Sequence, residues 1–146
     1  MTRAHETSVE LSVQFHHCDP LGVVWHGRYF EYLEHARTAL LESLALDGAE
    51  LVATGYRFYV ADVRCRHVSP LRYRDRFRVT AWLREWQQRI WVSYDVHDLT
   101  TSRQAARAHT VLVVTDAEGN LQFEVPEVIR ARIDQSLVRT GQPQPS

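Results

Sequence analysis

Residues 15–38 read FHHCDPLGVVWHGRYFEYLEHART, and this stretch decides the fold that the rest of the chain must complete. It contains an irregular Asp19-Pro-Leu-Gly22 turn, a short apolar run and the start of a helix. From about Gly27 to Leu46, apolar residues recur at steps of three and four, which predicts a long helix with one buried face. The pattern places a carboxylate beside the N-terminus of that helix. Unpaired backbone N–H groups there can polarise a carbonyl oxygen, so the combination predicts acyl transfer or hydrolysis.

The sequence on both sides of this helix is typical of β-strands. Residues 8–16 alternate apolar and polar side chains, which predicts a first strand. After Gly55, four segments rich in β-branched and aromatic residues are predicted strands, at 57–67, 75–85, 89–98 and 105–115. A last short helix is predicted at 127–137. Consecutive strands with short connections favour an antiparallel sheet, and a sheet that curls around one long helix gives an α+β fold.

Length and composition predict a single globular domain at 1–139, followed by a polar tail at 140–146. The 146 residues are 45% apolar, enough for a sizeable core. No apolar run approaches the roughly 20 residues that a membrane-spanning helix needs, so no membrane span is expected. The first residues carry no apolar signal segment, and Cys18 and Cys65 do not form a disulfide framework. A cytoplasmic location is therefore expected.

Charge is unevenly distributed, although the net charge is −1. Residues 64–89 contain eight arginines and two acids. Arginines 72, 74, 76 and 78 alternate, so a regular strand would place them on one face. Such a surface is either a solvated strand edge or a binding surface for phosphate groups. The segment lacks glycine–aromatic RNA-binding patterns, so nucleic acid is not an expected partner.

The residues Asp19-Pro-Leu-Gly-Val-Val-Trp-His26, with Tyr29, Glu34 and Ala36-Arg37 after them, resemble the hotdog-fold thioesterases. The similarity is closest to the 4-hydroxybenzoyl-CoA thioesterase type, which includes the acyl-CoA thioesterases of the Tol–Pal gene cluster. The resemblance implies a hotdog fold, in which a five-stranded antiparallel sheet wraps around the long helix. It also implies a homodimer or homotetramer with active sites at the dimer interface.

The implied activity is hydrolysis of an acyl-CoA, with a short-chain or aromatic acyl group, to free acid and coenzyme A. Asp19 would act as nucleophile or general base, and the backbone N–H of His26 would hold the oxyanion. No metal or other cofactor is expected, since coenzyme A enters as part of the substrate. Contacts to the substrate are expected from Gly22, Val24, Trp25, Tyr29, Glu34 and Tyr59, and contacts to its phosphates from Arg72, Arg74 and Arg76.

Each of these assignments has a simpler structural alternative. An aspartate in a turn often caps its own backbone, as an Asx-turn does. Glu34 and Arg37 have the i,i+3 spacing of a helix-surface ion pair, and the aromatic residues are equally compatible with ordinary core. His16 and His17 are adjacent at a predicted strand end, where their side chains would point to opposite faces, which argues against a metal site. Cys18 is interpreted as a small packing residue.

Two alternatives to acyl-CoA hydrolysis also stay open at this point. The first is a thioesterase that acts on acyl-carrier-protein thioesters, because the arginine-rich segment could attract an acidic carrier protein. The second is a hotdog module that binds acyl thioesters without catalysis. The presence of Asp19 favours an enzyme.

Overall fold

The computed structural model describes residues 3–140, with side chains described as far as Ser136. A five-stranded antiparallel sheet has the strand order β1-β3-β4-β5-β2. The strands are β1 (Ala4–Ser12), β2 (Tyr56–His67), β3 (Arg76–Glu85), β4 (Ile90–Asp98) and β5 (Arg103–Asp116). The α-helices are α1 (Tyr29–Ser43), α2 (Ala49–Val52) and α3 (Glu127–Thr140), and two 3₁₀ turns lie at Phe15–His17 and His26–Arg28.

Helix α1 lies against the concave face of the sheet and supplies the centre of the core. Its residues at steps of three and four, including Leu33, Ala36 and Leu40, are at most 1% exposed. Alternate residues of β3 and β4 face the helix and are also buried, as Val79 and Val92 show. The prediction of an α+β hotdog fold is therefore confirmed.

Strand β2 forms one edge of the sheet. It pairs with β5 from Tyr56 to His67, and within the described residues no strand pairs with its other side. Tyr59 and Val60, near its N-terminal end, are about half exposed. An unpaired edge with exposed apolar side chains is a surface that proteins usually cover.

The predicted element boundaries shift most near the long helix. The first strand is Ala4–Ser12 rather than 8–16, because the chain leaves the sheet after Ser12 and forms the 3₁₀ turn at Phe15–His17. Helix α1 is shorter than 27–46, since a 3₁₀ turn precedes it and Ala45 adopts a positive φ of 56°. The last helix continues beyond 137, to Thr140, and the rest of the predicted polar tail lies outside the described residues.

None of the helices within residues 3–140 is long and apolar enough to cross a membrane.

Candidate active site

The Asp19 turn is a small hairpin closed by its own backbone. The Asp19 N–H donates to the Val23 carbonyl at 2.8 Å, and the Gly22 N–H donates back to the Asp19 carbonyl at 3.0 Å. Gly22 adopts a φ of 81°, a conformation that favours glycine. These bonds hold the carboxylate in a fixed place, although it lies in a loop.

The Asp19 carboxylate is half-buried and uses one of its two oxygens to cap the turn. Oδ1 accepts the Leu21 N–H at 2.9 Å and the Val23 N–H at 3.4 Å. Oδ2 accepts no hydrogen bond from any residue that the structure describes. The Asx-turn alternative is therefore correct as a description of Oδ1, and Oδ2 stays available to a ligand.

Backbone hydrogen bonds attach this hairpin to two neighbouring segments. The Val24 N–H donates to the Leu71 carbonyl at 2.8 Å, and the Trp25 N–H donates to the His17 carbonyl at 2.9 Å. Val23 also pairs with Arg72 as an isolated antiparallel bridge. The candidate acid is thus held between the 3₁₀ turn before it and the Leu71–Asp75 turn that precedes β3.

The start of the helix supplies two unpaired donors. Within the described part of the chain, neither the His26 N–H nor the Gly27 N–H has a hydrogen-bond acceptor. The Trp25 indole lies so close to Gly27 that a Cβ at this position would overlap its ring. A side chain at position 27 would therefore displace the Trp25 indole, which is 50% exposed and borders the two donors.

His17 connects the hairpin to helix α1 through a defined hydrogen-bond pattern. Its Nδ1 accepts the Tyr32 hydroxyl at 2.8 Å and the Gln14 N–H at 3.2 Å. A ring nitrogen that accepts two donors carries no proton, so the ring is neutral with its proton on Nε2. Burial lowers the pKa of His17, and the neighbouring His16 and Arg28 add to this effect.

The C-terminal end of β2 brings another histidine to the helix start. The His67 ring lies 4.5 Å from the Tyr29 ring, centroid to centroid, in an edge-on arrangement. Burial lowers the pKa of His67, and the charge of nearby His26 lowers it further. Burial also raises the pKa of Tyr29 to about 12, which keeps its hydroxyl protonated at neutral pH. No pattern in the sequence predicts a role for His67, because only sheet formation brings it near residue 29.

A buried pair of carboxyl groups lies behind the Leu71–Asp75 turn. Asp75 Oδ2 accepts the Arg72 N–H at 3.0 Å, and Asp98 Oδ1 accepts the Thr100 N–H at 2.9 Å. Burial raises the pKa of Asp75, and its hydrogen bond to Asp98 adds to the effect. Asp98 Oδ2 is buried and has no hydrogen-bond partner in the described residues, and a proton shared with Asp75 would supply one. No pattern in the sequence predicts this pair either, since the two acids are 23 positions apart in the sequence.

The arginines at 72, 74, 76 and 78 do not lie together on one face of a strand. Strand β3 begins only at Arg76, and Arg72 and Arg74 belong to the turn before it, where Arg74 has a φ of 73°. Arg72 is joined to the Asp19 hairpin through its bridge to Val23. Arg76 instead forms an ion pair with Glu10 at 3.0 Å on β1.

Two further predicted residues lie away from Asp19 within one chain. Glu34 is exposed on α1, and the predicted ion pair with Arg37 is wrong, because Arg37 Nη1 instead lies 3.4 Å from the Tyr94 hydroxyl. Tyr59 lies eight residues before His67 on the extended strand β2, which separates them by about 26 Å at ~3.3 Å per residue. Gly22, Val24, Trp25, Tyr29 and His26 do come together around the hairpin and the helix start.

The histidines near Asp19 are arranged differently from the prediction. His16 and His17 lie on a 3₁₀ turn rather than a strand, and their rings are 4.4 Å apart, so they do not point to opposite faces. Among residues 3–140, no group of three or more His, Cys, Asp or Glu side chains is placed to hold a metal ion. The hairpin and the helix start supply a carboxylate oxygen and two backbone donors.

Comparisons with known proteins identify the family of the chain. Residues 13–133 match the family model of the thioesterase-like superfamily. A protein of Synechocystis that is named as an esterase is 30% identical to this chain over 127 residues. The matched region covers 86% of this chain and 76% of that protein. A chloroplastic acyl-acyl carrier protein thioesterase of Arabidopsis thaliana is 28% identical over 90% of this chain and 68% of its own length.

Solved structures show the same fold. A 1,4-dihydroxy-2-naphthoyl-CoA thioesterase from Synechocystis superposes with a TM-score of 0.76 at 18% identity, over 94% of this chain and 99% of that one. The family match begins at residue 13, directly after β1, and ends within helix α3, so it includes the whole candidate site. The chain belongs to the thioesterase-like superfamily of hotdog proteins.

Proposed function

We propose that this protein hydrolyses acyl-CoA thioesters with short-chain or aromatic acyl groups, releasing the free acid and coenzyme A. The observation that carries the proposal is the Asp19 carboxylate, whose Oδ1 is anchored in the turn while Oδ2 is unpaired. Two unpaired N–H groups follow at the helix start. Family membership supports a thioesterase, and named thioesterases of both CoA and carrier-protein substrates are among its relatives.

In the proposed reaction, the thioester carbonyl oxygen accepts the His26 N–H, and negative charge on that oxygen is stabilised as it develops. Asp19 Oδ2 either attacks the carbonyl carbon or removes a proton from an attacking water. Direct attack expels the coenzyme A thiolate and leaves an acyl anhydride, which water then cleaves. By either route, water contributes a hydroxyl to the acid and a proton to the thiol.

The neighbouring side chains are proposed to hold the substrate around this centre. Trp25 borders the helix-start donors and would cover the thioester, and Tyr29 would close the inner wall beside His67. Gly22 and Val24 would contribute backbone to the channel. Arg72 and Arg74, in the turn attached to the hairpin, are placed to meet the coenzyme A phosphates better than Arg76, which is engaged with Glu10.

We further propose that the active unit is a homodimer, or a tetramer of such dimers, joined through the free edge of β2. In an antiparallel pairing of two β2 edges, the Tyr59 end of one strand lies beside the His67 end of the other. This arrangement would bring Tyr59 to the site of the second copy and cover the exposed apolar edge. It accounts for a residue that lies far from Asp19 within its own chain. Glu34, exposed on α1, would also meet substrate only in such an assembly.

The test is thiol release, followed with a chromogenic thiol reagent, on acetyl- to palmitoyl-CoA and on benzoyl- and 4-hydroxybenzoyl-CoA. Asp19→Asn is expected to lower kcat at least ~100-fold with the fold intact. Glu50→Gln, a change at an exposed acid of α2, serves as the matched control. Glu34→Gln tests whether the exposed carboxylate of α1 contributes to turnover. Full turnover by Asp19→Asn would rule out the proposed mechanism.

A carrier-protein thioester is the second candidate substrate. The Arabidopsis relative bears the name of an acyl-acyl carrier protein thioesterase, and Arg72 and Arg74 would also suit an acidic carrier protein. The two candidates are separated by presenting the same acyl group on coenzyme A and on a carrier protein. A preference of tenfold or more in kcat/KM identifies the carrier, and no turnover with either indicates a non-catalytic binding module.

A further inference from the structure

The convex face of the sheet, turned away from α1, contains a groove of about 440 Å³. Its walls are outward-facing residues of four strands, whose alternate neighbours are buried in the core. The residues that carry the inference are Arg64 and Arg66 on β2, Trp82 and Arg84 on β3, Trp91 on β4 and Arg107 on β5. None of them belongs to the Asp19 hairpin or to the helix start, so this groove is a different place from the candidate active site.

The groove carries more arginines than acids, although Asp95 lies opposite Arg107 in the β4–β5 register. Arg66 lies directly opposite Arg107 in the β2–β5 register, and like charges in this position destabilise a sheet. None of Arg64, Arg66, Arg84 and Arg107 forms an ion pair with an acid in the described residues. The acid in the groove wall, Asp95, is already engaged by Arg3 at 3.7 Å and by the Gln104 side chain.

The groove also contains two tryptophan rings, and guanidinium groups of the protein lie over both of them, with that of Arg3 3.8 Å from the centroid of Trp82. The Trp91 ring lies 5.0 Å from the His109 ring, and the guanidinium groups of Arg84 and Arg89 lie 5.9 and 4.8 Å from its centroid. The Trp91 Nε1–H is buried and has no acceptor in the described residues. A planar ligand ring can stack on such surfaces, and guanidinium groups bind phosphate oxygens in a two-pronged geometry.

We propose that this groove binds a nucleoside polyphosphate, with the phosphates on the arginine pair of β2 and β5 and the base against Trp91. The groove has the volume of a small-molecule site. A second copy of this same face is a poor occupant, because it would bring two sets of these arginines together. The ligand has two chemical sources, a free nucleotide or the nucleotide end of coenzyme A. The proposal does not depend on the function proposed for Asp19.

The test is calorimetric titration of the full chain with ADP, together with quenching of tryptophan fluorescence. Saturable binding is expected, with adenosine alone and pyrophosphate alone each binding at least tenfold more weakly. The double variant Arg66→Ala/Arg107→Ala is expected to weaken ADP binding at least tenfold. Arg78→Ala removes one arginine from the same sheet face outside the groove and is expected to leave ADP binding unchanged.

Three results would overturn the proposal: no binding of ADP, equal binding of ADP and pyrophosphate, or equal weakening by Arg78→Ala. An oligomer that buries the convex face would give the first result. Kinetics then identify the source of the ligand. A raised KM for acyl-CoA in the double variant, with competition between coenzyme A and ADP, assigns the groove to the substrate's nucleotide. Loss of ADP binding with an unchanged KM assigns it to a free nucleotide. Because ADP binding is measured without a thioester, its outcome does not depend on whether the protein is a thioesterase.

Discussion

Oδ1 of Asp19 accepts the Leu21 N–H at 2.9 Å, so the candidate catalytic acid also closes its own turn. The carboxylate is thereby held without help from another side chain, and its second oxygen is left unpaired. A capping role and a chemical role are therefore properties of different oxygens of one side chain. This division makes the two roles separable by mutation.

Asparagine and alanine at position 19 should have different effects on stability. Asp19→Asn keeps an acceptor for the Leu21 N–H, so the midpoint of unfolding should change little while turnover falls at least ~100-fold. Asp19→Ala leaves that N–H without its acceptor and should cost an additional ~1 kcal/mol in the free energy of unfolding. Urea unfolding beside thiol release measures both quantities. Equal stability of the two variants would show that the cap contributes nothing.

Gly27→Ala should disturb the site through the Trp25 indole. The added Cβ overlaps the ring, so the indole must move away from the helix-start donors. We expect kcat/KM to fall at least tenfold, with a stability cost of about 1–3 kcal/mol from overpacking. In a Trp25→Ala background the ring is absent, so adding Gly27→Ala should lower the free energy of unfolding much less than it does in the wild type. If Gly27→Ala costs as much stability without the ring as with it, the backbone and not the ring disfavours a side chain at position 27.

Tyr32→Phe should loosen the attachment of the hairpin to α1. The variant removes the hydroxyl that donates to His17 Nδ1 and leaves the Gln14 N–H as its donor. A loss of about 1 kcal/mol is expected in the free energy of unfolding. Tyr56→Phe removes a hydroxyl that makes no hydrogen bond within the described residues, so it is the matched control and should be neutral. Equal effects of the two changes would contradict a structural role for the Tyr32 hydroxyl.

Asp75→Asn should stabilise the protein increasingly as the pH rises. The pKa of Asp75 is raised in the folded state, so the folded protein binds this proton more tightly than the unfolded chain does. The stability that this proton contributes to the wild type is lost as the pH rises above the ordinary pKa of 3.8. An amide supplies a permanent donor to Asp98 and keeps an acceptor for the Arg72 N–H. The Tm difference between variant and wild type should therefore be small near pH 4 and grow towards pH 7. A difference that stays constant with pH would show that the two acids do not share a proton.

The sequence alone determined the parts of this protein that depend on local periodicity. Apolar residues at three- and four-residue steps predicted helix α1, and alternating and β-branched segments predicted the five strands within a few residues. The Asp19 turn was also predictable, since it lies within a few consecutive residues, whereas the role of the His26 N–H is implied by the family resemblance and stays a prediction. Local hydrogen bonds and short turns form between neighbours in the chain, so their residue types leave a readable pattern.

Only the tertiary structure decided which distant residues meet. His67 reaches Tyr29, Asp75 reaches Asp98, and Arg66 lies opposite Arg107 because of strand register and the curl of the sheet around α1. A shift of one residue in register would turn the side chains of the shifted strand, such as Arg66 or Arg107, to the other face. Such contacts leave no pattern along the chain, because register results from the packing of the whole core. For the same reason, the sequence could not show that Arg72 lies beside the Asp19 hairpin while Arg66 and Arg107 lie in the convex groove.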